Sequence, residues 1–534
     1  MFSVTFAKEK LSAEFPEGTT ILEAAKQLEI FVETPCGGAG TCEKCLVRLG
    51  DALEEVLACQ TEISSDVTVY TGEYGKTGDM RILSSDGDSF TYSIAPAFRK
   101  TYNGGKTEVR YNGELIGEEP GDTTGHIYGL AIDIGTTTLA VGLIDMLTGT
   151  ELATESALNP QSGYAQDVLS RIKLAAGPEQ LGVLHSVLLK ELESLLQQLT
   201  IKAGIEPAHI YEAVYSGNTT MIYLALGEDP KSLGRFPYNF AIKGNSDYPV
   251  QQLTMSPFAR IYVPPVISAF VGPDITSGVI ASQLASREDT VLFIDVGTNG
   301  EMVIADGGEL AATSTAAGPV FEGMNISCGM RADRGAIEHF EISGENIIVR
   351  TIGNAPAVGI CGSGLMDIVG ELVKWGVISA SGRFIPPDKG NYGQHLADRM
   401  VEKDGKYFFE VAEGVLLSQN DVRQVQLAKG AVRAGVEALL ADKGVGYHQV
   451  GEVLIAGAFG FHLREESLLN IGLLPSELRG KVSFSGNTSK SGAKAFLLCT
   501  MLRQEVAETV SRIEVVELST MDGFDRLFVR SLSF

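Results

Sequence analysis

No run of apolar residues in this 534-residue chain approaches the ~20 that a membrane-spanning helix needs. The N-terminus enters an alternating stretch at Phe2 with no basic segment and apolar core ahead of it, so no signal peptide is expected. Basic residues are scarce: 42 Lys and Arg stand against 67 Asp and Glu, a formal net charge of −25. That balance argues against nucleic acid and an anionic membrane surface, and suits a partner with a neutral or basic docking face. The run G-x-x-x-x-G-K-[ST] is absent, which excludes a P-loop. The seven histidines, His462 among them, show no metal-ligand spacing and read as structural or surface residues. Cysteine is sparse too, with seven in all. Four of them crowd between Cys36 and Cys59, while Cys328, Cys361 and Cys499 are widely spread, so a reducing cytoplasm is the expected location. The length calls for more than one domain.

What is present begins with Cys36-Gly37-Gly38-Ala39-Gly40-Thr41-Cys42-Glu43-Lys44-Cys45 and the later Cys59. Four thiolates closed up this tightly, three of them in one loop, are what a [2Fe–2S] cluster requires. Gly37, Gly38 and Gly40 let the loop wrap the inorganic sulfurs and take positive φ without a Cβ penalty. Zinc is the other reading of a C-x2-C pair, although zinc sites usually show two short pairs. Around the loop, Phe2 to Phe6 alternates as a strand and Leu11 to Phe15 is its candidate hairpin partner. Gly18-Thr19-Thr20 caps a short helix bearing Ile21, Leu22, Ala25 and Leu28, and Leu46 to Leu49 and Val67 to Tyr70 read as strands. Residues 1–75 resemble the β-grasp ferredoxin family. The spacing departs from the plant-type pattern by five residues in the first gap and a short gap to the fourth ligand.

Residues 76–125 are polar and glycine-rich, with Asn103-Gly104-Gly105-Lys106 and Asn112-Gly113 among their turn signals. They read as a linker or a small subdomain, the first giving the cluster domain freedom to move.

The body opens at 126 on an apolar strand, Tyr128 to Ile134, running into Asp133-Ile134-Gly135-Thr136-Thr137-Thr138 and back along Leu139 to Asp145. The pattern recurs at Asp295-Val296-Gly297-Thr298-Asn299-Gly300-Glu301, which suggests two related lobes, 126–288 and 289–534. A glycine after a strand, followed by threonines, offers N–H and hydroxyl donors to phosphate oxygens. Asp133 and Asp295 stand where a carboxylate holds a water of Mg²⁺ or orients an attacking water. These paired motifs resemble the acetate kinase, sugar kinase, Hsp70 and actin superfamily. The resemblance makes Asp133 to Thr138 the first phosphate motif and Asp295 to Glu301 the second. It also makes Glu452 to Gly460 the adenosine motif, with Gly457, Ala458 and Gly460 admitting purine and ribose, and Gly486 to Ser489 closing that side. Tyr215 to Thr220 and Gly359 to Gly364 read either as connecting elements or as ordinary helix caps. Pro178 to Leu199 has a leucine stripe at helical spacing, and Ser418 with Asp421 starts another helix.

The expected fold class is therefore α/β and multi-domain, a β-grasp [2Fe–2S] ferredoxin domain followed by a two-lobed actin-like ATPase. That combination resembles the reductive activators of corrinoid proteins, found beside methyltransferase and O-demethylase systems of anaerobes. The stretch Ser314-Thr315-Ala316-Ala317-Gly318-Pro319-Val320-Phe321-Glu322-Gly323 adds to the resemblance. The short tract after the cluster loop puts an additional middle domain in doubt. The resemblance implies a [2Fe–2S] cluster on Cys36, Cys42, Cys45 and Cys59, ATP and Mg²⁺ in the body, a corrinoid protein as partner and an upstream low-potential electron donor. A homodimer is left open. Restoring Co(I) from Co(II) demands a very low potential; across a gap of roughly 200 mV one electron costs about 4.6 kcal/mol, which differential binding of ATP and partner can supply. Ser314 is the candidate for approach to the open face of the corrin, a plain turn inside the lobe being the alternative. Two further readings remain. One is an activator of 2-hydroxyacyl-CoA dehydratases, with Cys328 and Cys361 as ligands of a shared [4Fe–4S] cluster rather than small buried hydrophobes. The other is a chaperone or scaffold switched by its cluster.

Overall fold

A computed structural model describes residues 1–28, 30, 32, 38, 40, 45–50, 53–71, 92–457 and 463–534. At the N-terminus the strand Phe2–Phe6 pairs antiparallel with Leu11–Phe15 and parallel with Val67–Thr71. The five-stranded sheet continues through Leu46–Leu49 to Glu54–Leu57. Val4, Phe6, Val47 and Val69 point to one face and pack against Ile21, Leu22, Ala24 and Ala25 of the helix Ile21–Gln27. A capping box starts that helix: the Glu23 amide donates to the Thr20 hydroxyl, and the Thr20 amide donates to the Glu23 carboxylate at 2.9 Å.

The tract read as a linker or small subdomain contains a three-stranded meander, Phe98–Asn103, Lys106–Tyr111 and Glu114–Pro120. Its turns are the glycine signals seen in the sequence: Gly104 and Gly105, then Asn112 and Gly113, all have positive φ, the conformation that matches the twist of a tight hairpin. Phe98, Val109 and Tyr111 pack on Tyr211, Tyr262 and Phe496 of the body. The Tyr111 hydroxyl donates to Asp247 at 2.6 Å, and Lys100 pairs with Glu119 at 2.8 Å. Residues 72–91 lie outside the described residues.

Two six-stranded sheets follow. In the first, Tyr128–Ile134 lies between its antiparallel partner Thr138–Asp145 and the parallel strand Ile210–Gly217. In the second, Thr290–Val296 lies likewise between Gly300–Asp306 and Val450–Ala456. The strands Glu151–Leu158 and Glu309–Thr315 extend each meander by one. Asp133 and Asp295 hold the same place, next to last in equivalent strands. The long helix Pro178–Ala203 buries its leucine stripe on the first sheet and stops at Gly204, whose φ of 66° suits a left-handed cap. Gln419–Lys443, capped by Ser418 and Asp421, covers the second sheet. No helix among the described residues is long and apolar enough to cross a membrane.

Each sheet also receives a helix from beyond the other. Pro273–Ala281, which follows the first sheet, sets Ile275 and Val279 against Phe293 and Val303 of the second. Thr488–Leu498, which follows the strand Val482–Gly486 of the second, sets Ala493, Phe496 and Leu497 with Ala131 and Val214 of the first. The two helices cross where glycine allows it: a Cβ on Gly492 would lie 2.2 Å from the Ser277 carbonyl oxygen. Gly492→Ala gains about 1 kcal/mol of helix propensity but forces two backbones apart, an overpacking cost of about 1–3 kcal/mol. The second term should win, so the body of Gly492→Ala should melt below wild type in calorimetry. An unchanged or higher midpoint would show that the crossing is not tight.

Candidate functional site

Of the four cysteines expected to hold the cluster, Cys45 and Cys59 are described; Cys36 and Cys42 lie outside the described residues. The Ala58 amide donates to the Cys45 carbonyl at 2.8 Å, tying the end of the loop to the strand that leads into Cys59. The two sulfurs consequently stand 3.2 Å apart, and the Cys59 amide points at the Cys45 sulfur at 3.5 Å. Metal–sulfur bonds of about 2.3 Å can span such a pair. Gly38 and Gly40 have φ of 97° and 74°, and a Cβ on Gly40 would strike the Gln60 side chain at 2.5 Å. These features fit a loop closed around a small metal centre.

The second site is the cleft where the two hairpin loops meet. Asp133, Gly135, Thr136, Thr137, Thr138 and Asn218 line one wall; Asp295, Gly297, Thr298, Asn299, Glu301 and Gly457 line the other. The Thr137 and Thr298 hydroxyls touch at 3.0 Å across it. Each loop is braced from behind. Arg171 donates to the Thr136 carbonyl at 2.6 Å, Asn159 to the Gly135 carbonyl at 2.8 Å, and Asn218 to the Thr136 hydroxyl at 2.9 Å. Asn218 also caps the helix Thr219–Leu226, so this junction is both a cap and a brace. Gly300 begins its strand, and the Gly297 amide bonds the Asn299 carbonyl at 3.0 Å. A larger cavity, between the meander and Thr500–Val510, is lined by Arg99, Asp247 and Arg503 and holds none of the motif residues.

The helix exchanged from beyond the second sheet completes the first wall. Asn487 and Ser489 each donate to Asp133 at 2.8 Å. That helix starts at Thr488. Gly457 has φ 107°, and a Cβ there would come within 2.9 Å of the Asp295 carboxylate. Ala458 and Gly460, and His462 after them, lie outside the described residues. Ser314 is half-buried in Glu309–Thr315, directly opposite Glu301 in the strand register; cross-strand partners face the same side of a sheet. Ala316, two residues on, is exposed.

Sequence reasoning passed over Asp274, which stands at the N-terminus of Pro273–Ala281 and lines the same cleft. Gly272-Pro273-Asp274 looks like an ordinary turn, and only the helix exchange carries it to Asp133 and Asp295. Glu322 also reaches the cleft, accepting from the Thr298 hydroxyl at 2.8 Å. Removal from water raises the carboxyl pKa of Asp133, Asp274, Asp295, Glu301 and Glu322 alike. Asp295, enclosed and facing the charge of Asp133, is pushed up to about 7. Bonds from Ser489 and Asn487 oppose the shift of Asp133. Among the described residues, Glu301 Oε1 and Glu322 Oε2 are buried without a hydrogen-bond partner. So many poorly compensated acids suit a divalent cation. Among the described residues no three candidate ligands surround one point, so a divalent cation held here would need water or ligand oxygens to complete its shell.

Three family models match the chain: "2Fe-2S iron-sulfur cluster binding domain" over 4–64, "RACo middle region" over 128–287, and "C-terminal domain of RACo the ASKHA domain" over 289–534. The chain is 30% identical over 566 residues to the corrinoid activation enzyme RamQ of Eubacterium limosum, covering 93% of both. It belongs to the reductive activators of corrinoid proteins. A second relative in that group is the [Co(II) methylated amine-specific corrinoid protein] reductase of Methanosarcina barkeri, 24% identical over 76% of this chain and 77% of its own. A solved structure, the reductive activator for corrinoid,iron-sulfur protein, superposes with a TM-score of 0.75 at 30% identity, covering 100% of this chain and 98% of its own. The fold is thus the ferredoxin-type domain followed by the actin-like domain of these activators. The doubt about a middle domain is corrected: the middle region matches 128–287, the stretch expected to form the first lobe, rather than the tract before it.

Linkage gives this activator a pH signature. A carboxyl raised from 3.8 to about 7, as Asp295 is, contributes stability that is full below about pH 4 and lost as pH rises through about 7, by up to about 1.4 kcal/mol per pH unit and proton. Without nucleotide or Mg²⁺, the melting temperature of the body should therefore fall between pH 5 and 8. Mg²⁺ or Asp295→Asn should flatten the slope. A metal-free melting temperature that does not change over that range would contradict the buried-acid picture.

Proposed function

We propose that this chain uses ATP to drive an electron from its N-terminal [2Fe–2S] domain onto the Co(II) of a corrinoid protein, regenerating Co(I) for methyl transfer. The observation that carries the reading is the meeting of both phosphate loops at Thr137 and Thr298, in a chain that also converges the Cys45 and Cys59 thiols. The names of its relatives, an activation enzyme and a Co(II) corrinoid protein reductase, support the substrate. Cys36, Cys42, Cys45 and Cys59 hold the cluster, which supplies electrons singly. An upstream low-potential donor refills it.

In the cleft, Gly135 to Thr138 and Gly297 to Gly300 present amides and hydroxyls to the phosphates. Asp133, oriented by Asn487 and Ser489, holds the hydration shell of Mg²⁺. Asp295 half-titrates near neutral pH, the range in which a carboxylate both exists and accepts a proton from an attacking water. Asp274 faces the same water from the helix end. Gly457 keeps the nucleotide side of Asp295 free of side chain, and Ala458 and Gly460 are assigned with it to the adenosine.

Mixed anaerobically with a candidate Co(II) corrinoid protein and a reductant, the wild type should generate Co(I) absorbance only when Mg–ATP is present. Asp295→Asn should cut ATP hydrolysis by on the order of 10²-fold or more and leave the cluster spectrum intact. Reduction at the same rate without ATP would remove the reading.

Ser314 stands beside the cleft and next to the exposed Ala316, and is assigned to the corrin face. Its hydroxyl would favour five-coordinate Co(II), which accepts an axial oxygen, over Co(I), which does not, so that release follows reduction. Ser314→Ala should keep ATP hydrolysis and the cluster yet slow partner reduction; wild-type reduction and partner binding in this variant would exclude the role.

A further inference from the structure

Between the cleft and the Ser314 tract lies a side chain to which the nucleotide chemistry has so far given no task. Glu322 closes the 3-10 turn Pro319–Glu322 and is 5% exposed. One of its oxygens accepts the Thr298 hydroxyl at 2.8 Å; the other is buried without a hydrogen-bond partner among the described residues. The Thr298 hydroxyl is itself 3.0 Å from that of Thr137. A threonine hydroxyl carries one proton and can donate it to one acceptor. A phosphate cradled by these loops competes with Glu322 for the Thr298 proton and sets a second negative charge beside an enclosed carboxylate. Glu322 cannot remain as it is when the cleft fills.

The turn that carries it is connected to the tract on one side and held firmly on the other. Upstream, Ser314 to Gly318 runs directly into Pro319, and the Gly318 amide bonds the Thr298 carbonyl at 2.8 Å. Downstream, a Cβ on Gly362 would lie 1.7 Å from the Phe321 carbonyl, and one on Gly323, with φ 76°, 2.4 Å from that of Met330. With the helix Gly362–Lys374 and Met330 pressed this closely on one side, a displacement of the Glu322 carboxylate is relieved toward Ala316 and Gly318.

We propose that Glu322 is a positioning residue that reports phosphate occupancy of the cleft to the tract Ser314–Gly318. This rests on the reading of the cleft as the nucleotide site and deepens it by naming the route from nucleotide to partner face.

The probe is Mg²⁺ with a non-hydrolysable ATP analogue, on the full-length protein, with no corrinoid partner present. In the wild type, analogue binding should change hydrogen exchange of the amides from Ala316 to Gly323. In Glu322→Gln, which keeps the shape and removes the charge, the analogue should bind more tightly, by roughly fivefold or more, the low end of usual site-to-site coupling. The exchange change over 316–323 should then be lost, while protection of the loop amides Gly135 to Thr138 persists. If the analogue fails to bind wild type, the nucleotide reading itself falls. If it binds and protects the loops but leaves 316–323 unaltered, or if Glu322→Gln shows the wild-type response and affinity, the inference is wrong. The wild-type arm decides alone should Glu322→Gln not fold.

Discussion

Bringing Asp133, Asp274, Asp295, Glu301 and Glu322 to one small cavity is the constraint to which much of the surrounding structure answers. An ionised carboxylate taken from water costs several kcal/mol unless it is paired or hydrogen-bonded, and the nearby cations are already engaged. Arg171 is committed to the Thr136 carbonyl, Gln161 and Ala165, and Lys490 to Glu151. Partial relief comes from hydroxyls and amides and from two helix N-termini, those of Pro273–Ala281 and Thr488–Leu498, whose free N–H groups favour negative charge. The rest must come from protons or from metal. A nucleotide would worsen matters by adding phosphates, so it can enter only with its cation, and the acids make the binding of one conditional on the other.

The same cavity explains why the two halves exchange helices. A lobe built only from its own sheet and helices would present Asp133 or Asp295 to solvent. Each lobe instead receives the other's helix end, and the small residues Ser277, Gly278 and Gly492 let the two helices approach at the crossing. The result is a site whose parts are not separable by lobe: Ser489, from beyond the second sheet, bonds both Asp133 and Ser216 of the first. Any rotation of one lobe would therefore change hydrogen bonds to the carboxylates directly, the kind of coupling through which two ligands bias each other.

Much of this was legible in the chain. The cysteine loop, the paired Asp-x-Gly-Thr hairpins, the leucine stripe from Pro178 and the capping box at Ser418 are local patterns, written within one element or one strand pair. The meander at 98–120 was legible in part. Its Asn-Gly and Gly-Gly turns are hairpin signals, and Lys106–Tyr111 alternates exposed and buried residues, but polar composition made the tract resemble a linker. Asp274, Glu322 and Arg171 were not legible as site residues. Asp274 and Arg171 belong to no motif, and Glu322, although it ends the Ser314 to Gly323 stretch, has no role that the stretch alone reveals; each acts through contacts between separate elements, made only once the helices are exchanged and the loops braced.

The distribution of thiols separates this architecture from an activator whose cluster sits in the ATPase fold. A cysteine ligates iron as the thiolate. Cys361 is 2% exposed, its thiol hydrogen-bonds the Ile337 carbonyl, and burial raises its pKa; all three favour the neutral, inert form. It packs in a small apolar group with Ala336 and Ile352, the environment of a buried hydrophobe. Cys328 lies half-buried against the core on a segment paired to the strand beside Cys361, and freeing either would pull apart the wall that holds the Pro319–Glu322 turn. Electrons are thus best carried in the N-terminal domain, where two sulfurs already converge, while the body keeps its nucleotide-dependent contacts intact. Separating the two tasks lets the body move through its ATP states without disturbing the ligands that hold the cluster.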